Sequence, residues 1–314
     1  MARPTNRSDT AGILYALAGF TLLTCGDAII KSMAGEWPPV AVAALRFSLG
    51  AIGLAAILLV REGPRAFVPS HPWLHAGRGL CMAAASLLFF TAVYVMPLAE
   101  ATALVFVSPI IIALLSGPLL GERVPRGTFL ACAIALVGVF VVLRPNLAAI
   151  GWMALLPLGA ATFFALMVIG NRASAGQGSA LSMQVFIAGC AAPILVLAAL
   201  AGRLMEWPAF DFGAPPPGVV LRCAAVAVTA STAHWLIYRG TMLAGAATIA
   251  PTTYIQLPVA VILGWAAFKD RPDALTLLGA LVIVAAGLVL WRASRKGPGK
   301  GAVRPARPPR PLRD

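Results

Sequence analysis

The sequence predicts an all-α integral membrane protein of ten transmembrane helices, arranged as two inverted five-helix repeats. Three observations carry that prediction. Of 314 residues, 60% are hydrophobic and only 11% charged, with a mean hydropathy of +0.88. A soluble domain carries about 25% charged residues, and a chain this apolar cannot cover itself with polar surface in water. Ten apolar runs follow one another along the chain, each close to the roughly 20 residues that one helical crossing consumes. Finally, the pattern of residues 118–143 returns at 265–290.

The first run, 11–31, follows Arg3 and Arg7 as a secretory signal would. It is too long for a signal core and ends on Asp27 and Lys31 instead of a small-residue cleavage site, so it is expected to stay as span 1. Span 2 takes 38–60, opening at Pro38, and span 3 takes 73–95, opening at Trp73. Span 4, 98–120, has Glu100 in its first turn and Pro109 near its middle. Span 5, 127–143, begins after the pair Glu122 and Arg123. Spans 6, 7 and 8 take 151–170, 180–201 and 218–238, the last two separated by the loop 202–217 with its prolines. Spans 9 and 10, 243–268 and 274–291, are divided by Lys269, Asp270 and Arg271. Barrel strands are excluded, because they alternate polar and apolar residues over about 10 positions, whereas these runs are apolar on every face. Outside the spans lie residues 1–10 and a tail, 293–314, that is basic and rich in proline. Such a tail is expected to be disordered and drawn to anionic lipid headgroups.

The net charge of +13 does not indicate a nucleic-acid partner. Threading ten spans from a cytoplasmic N-terminus gathers Arg61, Arg65, Arg123, Arg126, Arg172, Arg239 and the basic tail on the cytoplasmic side. The outer side receives Lys31, Arg144, Arg203, Lys269, Arg271 and the borderline Arg222. This positive-inside bias places both termini in the cytoplasm of a multi-pass inner-membrane protein. The cysteines, Cys25, Cys81, Cys132, Cys190 and Cys223, all fall inside spans and behave as small apolar side chains, so neither disulfides nor a metal site is expected.

The internal repeat sets the organisation. "PLLGERVPRGTFLACAIALVGVFVVL" ending span 5 returns as "WAAFKDRPDALTLLGALVIVAAGLVL" ending span 10, and Thr21–Lys31 resembles Thr162–Arg172, with Lys31 falling on Arg172. The unit is therefore five spans, 11–145 and 150–292. An odd number of crossings forces the second copy to enter the membrane from the opposite side. Inverted repeats have two near-equivalent packings, one open to each side, which is the basis of alternating access. Transport of a small molecule is the function this topology predicts.

The residues that carry a family likeness are Asp27 and Lys31, "LRF" at 45–47, "PLAEATALVFVSP" at 97–109, "GERV" at 121–124 and "LRP" at 143–145. In the second half they are "APTTYIQLP" at 250–258 and "FKDRPDALTLLGA" at 268–280. With these the sequence resembles the EamA-type ten-helix branch of the drug/metabolite transporter superfamily over nearly its whole length. The resemblance implies the ten-helix inverted-repeat fold and a metabolite substrate, since such proteins move amino acids, nucleosides, vitamins and other small molecules. One departure is visible: the branch usually has Gly then Glu where Lys269 and Asp270 stand.

Ions inside the spans need compensation, because even a forgiving scale charges about 2.5–3.5 kcal/mol for a lone one. Asp27 lies four residues before Lys31 on one helical face, and Arg46 about 12 Å into span 2 from the same side. Two readings stand: Arg46 holds a substrate carboxylate or phosphate while Asp27 binds an amine or a coupling proton, or Asp27 pairs with Lys31 or with Arg46 and serves helix packing alone. Glu100 reads as a helix-dipole cap or a proton-linked gate. Arg78 is expected to snorkel to the cytoplasmic interface, with anion binding at the inner mouth as the alternative. His234 reads as a packed interhelical donor. Pro109 and Pro258, with Pro251 a turn or two earlier, break corresponding spans, and matched breaks point to a binding site. By depth, the side chains expected to meet a solute are Thr24, Arg46, Ser86, Phe90, Phe106, Phe163, Trp235, Tyr254 and Gln256, with Asp27, Arg78 and Glu100 coupling or gating.

No HExxH, GxSxG or phosphate-binding GxxxxGK[ST] motif is present, and no carboxylate pair or metal cluster converges, so an enzyme and a cofactor are not expected. The expected protein is a secondary transporter of a zwitterionic or anionic metabolite, working outward as a monomer or homodimer, with protons as a candidate coupling ion. The alternative is a scaffold or membrane enzyme without solute flux. A transporter predicts a cavity between spans 1, 3, 4, 6, 8 and 9.

Overall fold

A computed structural model describes residues 7–121, 126–174, 176–205, 212–244 and 249–296. Eleven helices are described: α1 (Arg7–Lys31), α2 (Pro39–Glu62), α3 (Pro72–Val95), α4 (Leu98–Val105), α5 (Ser108–Leu120), α6 (Arg126–Ile150), α7 (Leu156–Ala173), α8 (Ala180–Leu204), α9 (Pro217–Ala244), α10 (Gln256–Phe268) and α11 (Ala274–Lys296). Among the described residues there is no strand. The ten expected spans are all found, span 4 being α4 with α5 and span 9 a 3-10 segment, Ala250–Ile255, followed by α10. Eight are long and apolar enough to cross a bilayer on their own. Spans 5 and 10 are apolar only over Phe129–Arg144 and Ala274–Val289, about 24 Å of helix. The chain is a multi-pass membrane protein.

Local chemistry sets the helix ends. Pro39 and Pro72 start α2 and α3, where the missing proline N–H has no partner to lose. The Ser179 hydroxyl caps α8 by accepting the Ser182 N–H at 3.0 Å, and the Asp273 carboxylate caps α11 through the Thr276 N–H at 2.7 Å. The helix-end repeat is kept in the backbone. α5 ends on Gly121 with φ 68°, and α10 ends on Lys269 with φ 58°. Lys269 thus holds the left-handed turn that glycine adopts freely, and the two ends are equivalent in form although their residues differ. Glu122 and Arg123 lie outside the described residues.

Boundaries differ from the expectation at spans 4, 5, 6, 8 and 9: span 6 opens with a 3-10 turn, Gly151–Leu155, before α7, and the expected first residues of span 9, Leu243 and Ala244, belong to α9, its own 3-10 segment starting at Ala250. Span 4 divides at Phe106–Val107 because Ser108 and Pro109 open a new helix. Span 5 runs on to Ile150, and span 8 reaches Ala244. Apolar patterning marks hydrocarbon depth, and a helix can continue past it.

Helix packing follows the repeat. The principal pairs are spans 1 and 8, 3 and 6, 2 and 7, 5 and 10, then 3 against 7 and 2 against 8, with 4 against 6, 9 against 1 and 4 against 9. Exchanging each span with its repeat partner (1 with 6, 2 with 7, 3 with 8, 4 with 9, 5 with 10) turns 1–8 into 6–3, 3–7 into 8–2 and 4–6 into 9–1, and leaves the other pairs unchanged. Spans 5 and 10 meet backbone to backbone: a Cβ on Gly138 would stand 2.7 Å from the Gly279 carbonyl oxygen, the small-residue contact that membrane helices use.

Packing density is not shared equally between the two ends of the bundle. Even-numbered crossings put both chain ends on one side, here called the terminal end. The large buried cluster gathers Ile30, Met33, Val42, Phe47, Val93, Met96, Leu98, Leu143, Leu195, Val219 and Cys223, all toward the opposite, far end. In the terminal half a small cluster holds Ile110, Ala131, Ala135 and Ala286.

Candidate functional site

Deep in the bundle, Asp27 on α1, Arg46 on α2 and His234 on α9 share one electrostatic environment. Each keeps some accessible surface. Among the described residues the contact ion pairs are Lys31–Asp270 and Arg222–Glu36, so Asp27 and Arg46 act on each other across a gap and not through a direct bond. The Arg46 guanidinium lies 4.3 Å from the Phe47 ring centre and 5.8 Å from that of Phe90, a cation–π arrangement that steadies its charge away from water. An acid and a base held apart, each reachable, can receive the two ends of a zwitterion. Phe47 was not expected at this site; its adjacency to Arg46 in sequence gave no hint that the ring would fold back on the guanidinium.

The other expected site residues take different surroundings. Thr24 is fully buried, and its hydroxyl bonds back to the Phe20 carbonyl at 3.2 Å. Ser86 is buried with its hydroxyl 3.8 Å from the Met82 sulfur, and Phe90 is buried beside Arg46. Phe106, at the break in span 4, packs edge-on against Tyr254 in the break of span 9 at 5.4 Å. The two matched breaks therefore touch. Gln256 donates to the Thr253 carbonyl at 3.2 Å and hydroxyl at 3.0 Å, closing that 3-10 segment. Phe163 is half-buried on span 6. Trp235 sits at the periphery, 51% exposed, edge-on to Tyr15 and beneath Arg239. Glu100 is buried in the first turn of α4.

Arg78 corrects the expectation that it snorkels. It is 3% exposed. Its Nε donates to Asn171 Oδ1 at 2.8 Å and its Nη1 to His75 Nδ1 at 2.7 Å and Met183 Sδ at 3.3 Å. Counting turns from a helix end assumes lipid alongside, whereas span 6 lies there, and Gly170 leaves room for the arginine: a Cβ at Gly170 would stand 2.7 Å from Arg78 Cγ.

At the far end Lys31 Nζ donates to Asp270 Oδ2 at 2.8 Å and to the Met96 carbonyl at 2.9 Å, while the Leu98 N–H donates to the same Asp270 oxygen at 3.3 Å. One carboxylate thus ties span 1, the turn between spans 3 and 4, and the end of span 9. Beside it Arg222 holds Glu36, whose carboxyl is kept below the usual range by that hydrogen bond. Trp37 donates to the Gly213 carbonyl at 3.3 Å and meets Phe212 edge-on. Two concavities lie elsewhere, on outward faces: about 430 Å³ lined by Val141, Arg144 and Asp273, and about 370 Å³ lined by Ile52, Phe67 and Phe186. Among the described residues no cluster of His, Cys, Asp and Glu suits a metal ion.

Tyr254 depends on a glycine that sequence reading overlooked. A Cβ on Gly287 of α11 would overlap the Tyr254 hydroxyl, so Gly287→Ala is expected to push the ring from its place against Phe106. Overpacking of this kind costs about 1–3 kcal/mol. Thermal unfolding in detergent should show the loss, and Tyr254→Phe, which removes the overlapping oxygen, should recover part of it.

Residues 10–144 match the model of the EamA-like transporter family. A riboflavin transporter of Rhizobium johnstonii is 28% identical over 74% of this chain and 75% of its own. The pseudopaline exporter CntI of Pseudomonas aeruginosa is 26% identical, covering 91% of this chain and 97% of its own. An S-adenosylmethionine uptake transporter of Rickettsia prowazekii is 24% identical, covering 91% and 94%. A solved crystal structure, 22% identical, superposes with a TM-score of 0.60 over 91% of this chain and 99% of that one.

Proposed function

We propose, from the premise that this chain belongs to the EamA-type branch of the drug/metabolite transporter superfamily, that it carries a small zwitterionic or anionic metabolite across the inner membrane by alternating access. It is a metabolite transporter and not an enzyme. The proposed moving parts are the two repeats, 11–145 and 150–292, with both termini cytoplasmic and transport directed outward. The observation that carries the reading is the separated pair Asp27 and Arg46, opposite charges deep between the repeats with no direct bond to each other. Arg46 would take a substrate carboxylate or phosphate and Asp27 an amine or a coupling proton. Phe90, Phe106, Phe163, Tyr254 and Gln256 would form walls or hold the breaks in spans 4 and 9.

Among the described residues the large buried cluster lies at the far end, which supports a form closed there and poised to open toward the terminal end. The comparisons supply no direction, since one relative is named an exporter and another an uptake transporter. The test is counterflow in sealed proteoliposomes preloaded with pooled metabolites. Saturable exchange of an amino acid or a related zwitterion is the expected result, stimulated by an imposed pH gradient if Asp27 or Glu100 couples protons. Exchange confined to neutral or purely cationic solutes would overturn the charge reading, and no exchange with any pool would favour a scaffold.

A further inference from the structure

Two arginines occupy equivalent places in the two repeats. Because Lys31 and Arg172 are register partners, Glu36 in the turn after span 1 falls on Gln177 in the turn after span 6. Spans 3 and 8 are likewise partners. Each carries an arginine in its second turn, Arg78 six residues after Pro72 and Arg222 five after Pro217.

At the far end the construction is complete. Arg222 Nη1 donates to Glu36 Oε1 at 2.9 Å and to the Ser32 carbonyl at 2.8 Å, and Nη2 donates to the second Glu36 oxygen. At the terminal end the same construction lacks its acid. Among the described residues Arg78 is bonded to neutral groups on Asn171, His75 and Met183, and no carboxylate acts on it electrostatically. A guanidinium can only donate, so His75 accepts at Nδ1 and carries its proton on Nε2. That Nε2 is buried without a partner, and so is Oε1 of Gln177. Arg78 Nη2 makes no hydrogen bond to a described residue.

We propose that Arg78, with His75 and Asn171 positioning it, binds an oxyanion, a carboxylate or phosphate group arriving at the terminal end and taking the place that Glu36 takes opposite Arg222. A buried cation without counter-charge is costly, and with Nε and Nη1 engaged the two N–H of Nη2 are left to donate to the oxygens of such a group. The site stands apart from the Asp27 and Arg46 pair and does not depend on transport. A dissolved anion and an anionic lipid headgroup present the same chemistry.

The decisive variant puts a carboxylate at Gln177, the register partner of Glu36. Purified full-length protein in neutral detergent is titrated with inorganic phosphate and followed by thermal unfolding. In parallel, nanodiscs of phosphatidylcholine with and without phosphatidylglycerol are assayed for retained lipid by native mass spectrometry. Wild type is expected to bind phosphate or phosphatidylglycerol saturably, with Gln177→Glu and Arg78→Gln roughly tenfold weaker or worse and Arg78→Lys between them. Phosphate binding would identify a soluble anion, and phosphatidylglycerol alone a headgroup. Gln177→Glu removes no contact and should unfold at or above the wild-type temperature. Equal affinity of wild type and Gln177→Glu for both probes, or no binding of either probe by wild type, overturns the site; Arg78→Lys carries the same comparison if another variant fails to fold.

Discussion

Arg46→Gln is expected to cut solute flux about a hundredfold while leaving the protein folded. A hydrogen bond to a charged group contributes about 1.5–3 kcal/mol, so losing a two-pronged grip on a substrate oxyanion approaches the roughly 2.8 kcal/mol that corresponds to a hundredfold. Removing one charge also exposes the other. Asp27→Asn leaves Arg46 without its only acidic neighbour among the described residues, and stranding a buried charge costs about 3–5 kcal/mol. Because both side chains keep some accessible surface, the lower end of that range applies. The double variant Asp27→Asn with Arg46→Gln strands nothing. It should regain most of the stability lost by Asp27→Asn, measured by thermal unfolding in detergent, yet remain inactive in counterflow. If the double variant transported as wild type does, the pair would be packing and nothing more.

Much of this was legible in the chain because the governing quantities are local. Apolar run length located all ten spans, and the repeat at 118–143 and 265–290 dictated which helices exchange in the packing. Pro109 marked the break in span 4, although the helix yields at Phe106–Val107, where Ser108 and Pro109 start the new one. What the chain concealed depends on partners distant in sequence. Lys31 and Asp270 are 239 residues apart; both stood in recognised motifs, but only the contact between spans 1 and 9 brings their ends together. Arg78 looked like an interfacial arginine because its distance from Trp73 is short, and nothing near it in sequence announces Asn171 and Gly170 beside it. Trp235 shows the same limit in another form, since its direction around α9, toward Tyr15 and Arg239, could not be counted from a uniformly apolar run.

The largest shift in conformation is expected from Asp270→Asn. Asp270 Oδ2 receives both the Lys31 ammonium and the Leu98 N–H, and the pair is largely withdrawn from solvent, with side chains 12% and 17% exposed. Charge-assisted bonds in such a setting are about twice as strong as neutral ones. The amide removes the ionic attraction and leaves Lys31 facing the Met96 carbonyl and the Phe268 ring. If this junction favours the far-closed form by about 3 kcal/mol, its loss moves the balance between the two forms roughly a hundredfold toward opening. The chain carries its own reporter: Cys223 is fully buried at that end, its sulfur 3.9 Å from that of Met33. With the other four cysteines replaced by serine, a membrane-impermeant maleimide should label Cys223 far faster in Asp270→Asn than in the parent. Lys31→Met should act in the same direction, and combining the two should add little, since each removes the same bond. Labelling rates indifferent to both substitutions would mean that apolar packing around Met33, Val42 and Leu98 closes the far end unaided, and that the ion pair only decorates it.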